Sequence, residues 1–361
     1  MVRSLHVKTV IVLFGLALLL AVSGSWLRAQ QPAPPGAPAP PSGAAPAQAP
    51  QNPQLPPAPA GEPTLRVTTG LVKLVVTVMD RRRSFITELD KSDFKVLEDG
   101  QPQNIRFFAA QTDLPLRIAL LLDTSNSIRP RLEFEKEAAI DFLGKVIRRN
   151  KDMAFLMTFD NESQVIQDYT DNFSLLQNAI QEQRAGGGTA LNDAICLASE
   201  KLAHPPMPKG DDSDVRRVIV VFTDGDDNLS EHALTDAVDS SIRSEAAIYA
   251  ISTNTDWLAI GNPDKPSKFL MDRKDKVLRQ FADQTGGRAF YPYRVDDLAL
   301  SFEEIGTELR SQYFIGYAPA IPPSDGRYRK IDVQTNRKGL IVRTRKGYYA
   351  IAQPSGVGLG R

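Results

Sequence analysis

The chain has 361 residues, and 43 Lys+Arg balance 43 Asp+Glu, so its formal net charge is zero. A nucleic-acid footprint needs a basic excess to neutralise phosphates, and attraction to an anionic membrane needs the same; the balance argues against both. One cysteine excludes a disulfide framework and a cysteine-built zinc site, and three histidines (His6, His204, His232) leave little material for a histidine metal site or triad.

The length allows one large domain or two ordinary ones, but the composition is not uniform along it. Arg3, His6 and Lys8 precede an apolar run from Val10 to Val22. A basic start followed by a short apolar core reads as a secretory signal peptide over residues 1–29. The run is short of the roughly 20 residues of a membrane span. No charge follows until Arg28, so an uncleaved anchor through residues 10–27 is the alternative. Residues 30–63 come next, and 13 of the 26 prolines fall between Pro32 and Pro63. Such a tract buries too little apolar area to offset chain entropy, and reads as a disordered, extended linker.

Folded sequence begins near residue 64. Leu71–Met79 is β-branched and partly alternating; Phe94–Glu98 alternates and ends at Asp99-Gly100, a turn signal; Ile105–Phe108 is a further short strand. Residues 64–113 are therefore an N-terminal β region. The pattern then changes. Ile118–Leu122 is a continuous apolar run, as in a strand buried on both faces. Helical spacing over Arg131–Ile147 follows, then a strand at Met153–Phe159, and helices at Phe173–Glu182 and Ala190–Leu202. Val218–Phe222 reads as a central strand. A helix at Glu231–Ser244, a strand at Ala247–Ser252, a helix at Lys276–Gln284, a strand at Ala289–Tyr291, a helix at Asp296–Leu309 and a strand at Tyr313–Tyr317 complete the alternation. Strands alternating with helices predict an α/β fold with a doubly wound, mostly parallel sheet over residues 114–317. Residues 318–351 revert to short alternating strands, expected to pair with 64–113, so that the α/β domain is inserted in a small β domain. Residues 352–361 read as a flexible tail.

Open parallel sheets bind ligands at the carboxyl ends of their strands. Three motifs fall there: Asp123-Thr124-Ser125-Asn126-Ser127 after the first buried strand, Gly186-Gly187-Gly188-Thr189 after a helix, and Thr223-Asp224-Gly225-Asp226 after Val218–Phe222. They offer two carboxylates and three hydroxyls, all hard oxygen donors. That set suits Mg²⁺, with Mn²⁺ or Ca²⁺ as substitutes. Few direct charges would leave the ion electrophilic enough to take a carboxylate from a partner. Taken singly, each motif has a plainer reading: Asp123, Ser127 and Thr189 as helix caps, Asp224-Gly225 as a turn.

Together, in this order, Asp123, Ser125, Ser127, Thr189 and Asp224 resemble the metal-ion-dependent adhesion site of the von Willebrand factor type A domain family. The resemblance implies that the serines and the threonine contact a metal, with the aspartates acting directly or through water. It also implies a non-enzymatic adhesion or binding module that engages an Asp or Glu of a protein partner. The flanks, Asp93-Phe94-Lys95-Val96, Gly316-Tyr317 and Lys346-Gly347-Tyr348 among them, look like bacterial relatives in which a β region brackets the A domain. Asn126, Asp226 and Trp257 are candidates for touching the partner.

Two other functions compete. A haloacid-dehalogenase-like, Mg-dependent phosphotransferase also places an Asp after its first buried strand, but needs a second acid two residues on, where this chain has Ser125. A structural scaffold with a vestigial metal site is the third reading. Serine hydrolysis fails for want of a G-x-S-x-G elbow. Of the remaining residues, Cys196 reads as a small buried hydrophobe and His204 as a loop residue; Asp226 and Asp227 could deepen the negative site but read better as a solvated acidic turn, and Arg81-Arg82-Arg83 reads as a charged hairpin turn.

Overall fold

The computed structural model describes residues 71–110, 114–207, 214–253, 273–292, 295–321 and 324–351. The expected signal segment over residues 1–29, the expected linker over 30–63, the expected tail over 352–361 and Trp257 all lie outside the described residues. Among the described residues, no helix is long and apolar enough to cross a membrane.

Chain order begins with four short strands, β1 (Val72–Met79), β2 (Phe94–Glu98), β3 (Gln101–Gln103) and β4 (Ile105–Ala109). Strand β5 (Leu116–Asp123) follows and is buried at every position. It pairs in parallel with β6 (Met153–Phe159) on one side and β8 (Arg216–Thr223) on the other. Strand β9 (Ala247–Ser252) and then β10 (Arg288–Phe290) extend the sheet in parallel beyond β8. Strand β7 (Ser163–Thr170) closes the opposite edge antiparallel to β6, giving the order β10-β9-β8-β5-β6-β7.

The period of two along β5 separates two cores. Ile118, Leu120 and Leu122 face α1 (Leu132–Val146), α2 (Phe173–Gln181) and α6 (Val295–Arg310). Ala119 and Leu121 face α3 (Leu191–Ala203), α4 (Leu234–Arg243) and α5 (Arg273–Thr285). Helices on both faces of a mostly parallel sheet make this the doubly wound α/β fold expected from the alternation.

The early strands pair with the late ones β11 (Tyr313–Tyr317), β12 (Tyr328–Thr335), β13 (Ile341–Arg343) and β14 (Gly347–Tyr349). Two antiparallel sheets result, ordered β13-β1-β11-β4 and β14-β12-β2-β3. Between them lies a third core that joins Leu74, Val76 and Val96 to Tyr313, Ile315, Ile331 and Val333. A buried carboxylate fastens this β unit to the α/β unit. Glu308 of α6 accepts from Tyr249 of β9 (2.7 Å) and from Thr77 of β1 (3.2 Å), and pairs with Arg343 of β13.

Among the elements that differ from the sequence reading, three bear on the fold. Tyr313–Tyr317 does not continue the helix–strand alternation; it lies between β1 and β4. A short apolar run forms a strand in either sheet, and its own pattern does not say which. Strand β7 had no counterpart in the sequence reading, because SQVIQDYT carries little apolar alternation and leaves Val165 and Ile166 exposed at an edge. Helix α4 begins at Leu234 rather than Glu231. The Asp193 carboxylate accepts from the backbone N–H of Glu231 (3.0 Å) and of His232 (2.9 Å), which holds those residues in a turn.

Asp152, buried before β6, gathers three element ends. It accepts from the Leu116 N–H at the start of β5 (2.8 Å), from the Arg148 side chain after α1 (2.7 Å) and from Arg310 at the end of α6 (2.9 Å). Burial pushes its carboxyl up, but these donors outweigh burial and hold it below the usual carboxylate value. The stability it contributes is therefore present above the ordinary carboxylate pKa and lost as pH falls through the lowered one. Asp152→Ala leaves two arginines partly buried without their acceptor, and is expected to cost about 3 kcal/mol in urea unfolding at neutral pH. The gap to wild type should narrow on acidification.

Candidate functional site

The register of two adjacent strands brings the first and third motifs together. β5 and β8 run in parallel with Leu122 opposite Phe222, so both chains leave the sheet at one edge. Asp123 is fully buried there. One of its oxygens accepts from the Ser125 N–H (2.8 Å) and the other from the Thr223 hydroxyl (2.7 Å). Thr223 in turn accepts from the Gly225 N–H (3.1 Å). Gly225 has φ +78°, and a Cβ there would stand 2.8 Å from the Lys274 carbonyl, so only glycine suits this close turn.

The second motif joins through the backbone. The Gly186 N–H donates to the Thr124 carbonyl (2.7 Å) and the Asn126 N–H to the Gly187 carbonyl (3.2 Å). Asn228, just past the third motif, accepts from the Thr189 N–H through its side chain (3.0 Å) and donates its own N–H to the Thr189 carbonyl (3.0 Å). All three loops are thus locked to one another.

The capping alternatives can be followed atom by atom. Ala190, not Thr189, stands at the N-cap of α3, and no side chain caps from that position. The job falls to Asp227, whose carboxylate accepts from the Asn192 N–H (2.8 Å). Ser125 occupies the N-cap of the turn Asn126–Ile128 without a side-chain cap bond; its hydroxyl instead meets that of Ser127 at 2.9 Å. Asp224 accepts from the Asp226 N–H (2.9 Å), as a turn carboxylate does, yet it is buried as well. Asp123, Ser125, Thr189 and Asp224 lie under the surface, whereas Asn126 and Ser127 are exposed and Asp226 is half exposed.

Residues 118–226, which contain all three motifs, match the family model of the von Willebrand factor type A domain. This segment is a von Willebrand factor type A domain. Such domains are generally protein-interaction modules. A relative, inter-alpha-trypsin inhibitor heavy chain H4 of Sus scrofa, is 25% identical over 211 residues, which are 57% of this chain; the chain spans about a fifth (21%) of that relative's length. Among solved structures, a von Willebrand factor type A protein from Catenulispora acidiphila is similar at 13% identity and a TM-score of 0.44, over 80% of this chain and 76% of that one. An aerotolerance-related membrane protein from Bacteroides fragilis is similar at 22% identity and a TM-score of 0.41, over 54% of this chain and 98% of that one.

Several carboxylates gather around the motifs. Burial pushes the Asp123 carboxyl up to about 6; the bonds from Thr223 and Ser125 pull the other way, and the charge of Asp224 adds to the rise. Two residues that no sequence motif marked also belong here. Lys274, in the first turn of α5, reaches Asp224 at 3.1 Å and Asp226 at 3.2 Å. Its signal was hidden because the sequence reading started that helix at Lys276. Glu135, in the first turn of α1, is 1% exposed, and neither carboxylate oxygen has a hydrogen-bond partner. An acidic residue on the inward face of a helix was the signal for it: Glu135 lies three residues after Leu132 and four before Ala139, both in the core.

Cys196 is half-buried against the α3–α5 core, and burial pushes its thiol up to about 11, so it is packing material rather than a nucleophile. Arg82 and Arg83 sit in a turn organised by the Asp80 carboxylate, as a charged hairpin should.

Thr223, in the third motif, has a role that its place in the sequence does not announce. Its buried hydroxyl both orients Asp123 and supports the turn at Gly225. Thr223→Val keeps the shape and removes both bonds. Chemical denaturation should show a loss of about 1–3 kcal/mol, because a buried carboxylate oxygen loses its donor. An unchanged midpoint would mean that the Thr223 hydroxyl does not hold the loop.

Proposed function

We propose that this chain is an exported binding module whose A domain holds a divalent cation, Mg²⁺ or in its place Mn²⁺ or Ca²⁺, and offers it to an Asp or Glu of a protein partner. The Ser125, Ser127 and Thr189 hydroxyls would contact the ion, and Asp123 and Asp224 would act on it directly or through water. Bound there, the ion would supply an electrophilic coordination position for the partner's carboxylate. The observation that carries this reading is the state of Asp123: a fully buried carboxyl beside Asp224, short of positive charge, at the rim where two serine hydroxyls meet. A cation supplies the charge such a group lacks. The all-oxygen donor set matches a hard divalent ion.

The chain's own residues prepare the site. Thr223 and the Ser125 N–H orient Asp123, Asp227 takes over the capping of α3, and the Thr189 hydroxyl is left available. Exposed Asn126 and half-exposed Asp226 form the rim a partner would touch, and Trp257 is a further candidate for it. The apolar run at residues 10–27 supports export, by a cleaved signal or by an anchor that keeps the module at a membrane. Phosphotransfer is the weaker reading. The position two residues after Asp123 carries the Ser125 hydroxyl, which bonds another hydroxyl and has no acidity suited to a leaving group.

The first test is thermal unfolding of the full chain in Mg²⁺, in Mn²⁺ and in EDTA. A ligand that binds only the folded state at 100 times its Kd should stabilise by about 2.7 kcal/mol. The shift should be absent in Asp123→Ala; equal shifts in wild type and variant would defeat the assignment. A pull-down with the full chain as bait should then recover a partner in Mg²⁺ and lose it in EDTA, and should lose it equally with Asp123→Ala.

A further inference from the structure

We infer that Glu135 is a third carboxylate of the metal site, accepting hydrogen bonds from water molecules bound to the cation rather than touching the cation itself. This rests on the metal-binding reading above. Three observations support it. Helix α1 starts at Leu132, after the turn Asn126–Ile128 that ends the Asp123–Ser127 loop and residues 129–131, and Glu135 lies in its first turn, at the end nearest that loop. The helix covers the sheet face that bears Leu122 and Phe222, which come immediately before Asp123 and two residues before Asp224. Both Glu135 oxygens are buried without a hydrogen-bond partner, and the negative charges that act on the group are those of Asp123 and Asp224.

An acid in that position needs a physical reason. The helix dipole favours an acid in the first turn, as at exposed Glu133, but not its burial without a partner, where a leucine or methionine would fill the space and add apolar burial. Arg131, at the N-cap of the same helix, offsets only part of its charge, and burial together with the two aspartates pushes the carboxyl well above its usual range. Among the described residues, no three Asp, Glu, His or Cys side chains, Asp123, Asp224 and Glu135 included, converge closely enough to grip one ion together, which favours contact through water. Mg²⁺ sheds its waters reluctantly and keeps several in protein sites. Those waters donate hydrogen bonds, and a buried carboxylate with both oxygens free is the acceptor that would hold them. Partners of this outer kind typically change metal affinity by about 10- to 100-fold when removed.

The test is Mn²⁺ titration of the full chain, following free Mn²⁺ by electron paramagnetic resonance, for wild type, Glu135→Gln and Glu135→Asp, with thermal unfolding of each in EDTA. Glu135→Gln should weaken Mn²⁺ binding about tenfold or more, while its metal-free unfolding temperature stays equal to or above that of wild type. Glu135→Asp, which keeps the charge, should fall between the two in affinity. Unchanged affinity in Glu135→Gln, with wild type binding Mn²⁺, overturns this inference and leaves the metal-site reading standing. A metal-free Glu135→Gln that is less stable than wild type, or fails to fold, also overturns it, because the carboxylate would then be holding the fold and not the ion's water. Absence of Mn²⁺ binding by wild type would remove the metal-site reading, and this inference with it.

Discussion

Parallel registration of β5 against β8 is the constraint on which the site depends. Two strands that run the same way, with Leu122 opposite Phe222, must end at the same edge. The loops that leave them are then neighbours although a hundred residues separate them in the chain. The Thr223 hydroxyl donates to the Asp123 carboxylate and ties the two loops together, one 2.7 Å bond between residues 100 apart. A slip of one residue would turn Asp123 away from Thr223, because successive side chains on a strand point to opposite faces. The two apolar cores on either face oppose such a slip, since it would exchange every inward residue of β5 for its neighbour.

From that edge outward, polar groups are divided between holding the fold and staying available. Asp227 caps α3, Asn228 clamps both backbone groups of Thr189, and Asp193 holds the turn before α4. These residues relieve the motif side chains of structural duty. What remains at the rim is a concentration of carboxylates with Lys274 as a close cation on Asp224 and Asp226. Elsewhere, buried acids are compensated by fixed partners, as Asp152 is by two arginines and Glu308 by Arg343 and Tyr249. Asp123 is held by hydroxyl and amide donors alone, and Glu135 by none. The contrast within one molecule separates acids that serve the framework from acids left for something else to satisfy.

Much of this was legible in residue patterns because it rests on local rules. The fully apolar run of β5 required cover on both faces, and the helical spacing through Leu132, Ala139, Phe142 and Val146 told which side of α1 packs. The motifs could be placed at strand ends because loops in such sheets lie there. Pattern failed where the deciding contact was remote. Strand β7 owes its existence to the free edge of β6 rather than to its own weak alternation. Strand β11 looks like any short apolar strand, and only its neighbours β1 and β4 assign it to a sheet. Lys274 matters because α5 begins three residues earlier than its apolar spacing suggests. Glu135 matters because of what surrounds it.

The amino-acid sequence alone determined which side chains are chemically able to form a hard-oxygen site, and the order of elements that carries them to one edge. Both follow from residue type and local periodicity, which need no partner. Tertiary structure decided which of those groups are already committed and which are not. Desolvation, the largest cause of the raised Asp123 and Glu135 carboxyls, exists only once distant segments have closed over them; helical phase could mark Glu135 as inward, but not what covers it or that it lacks a partner.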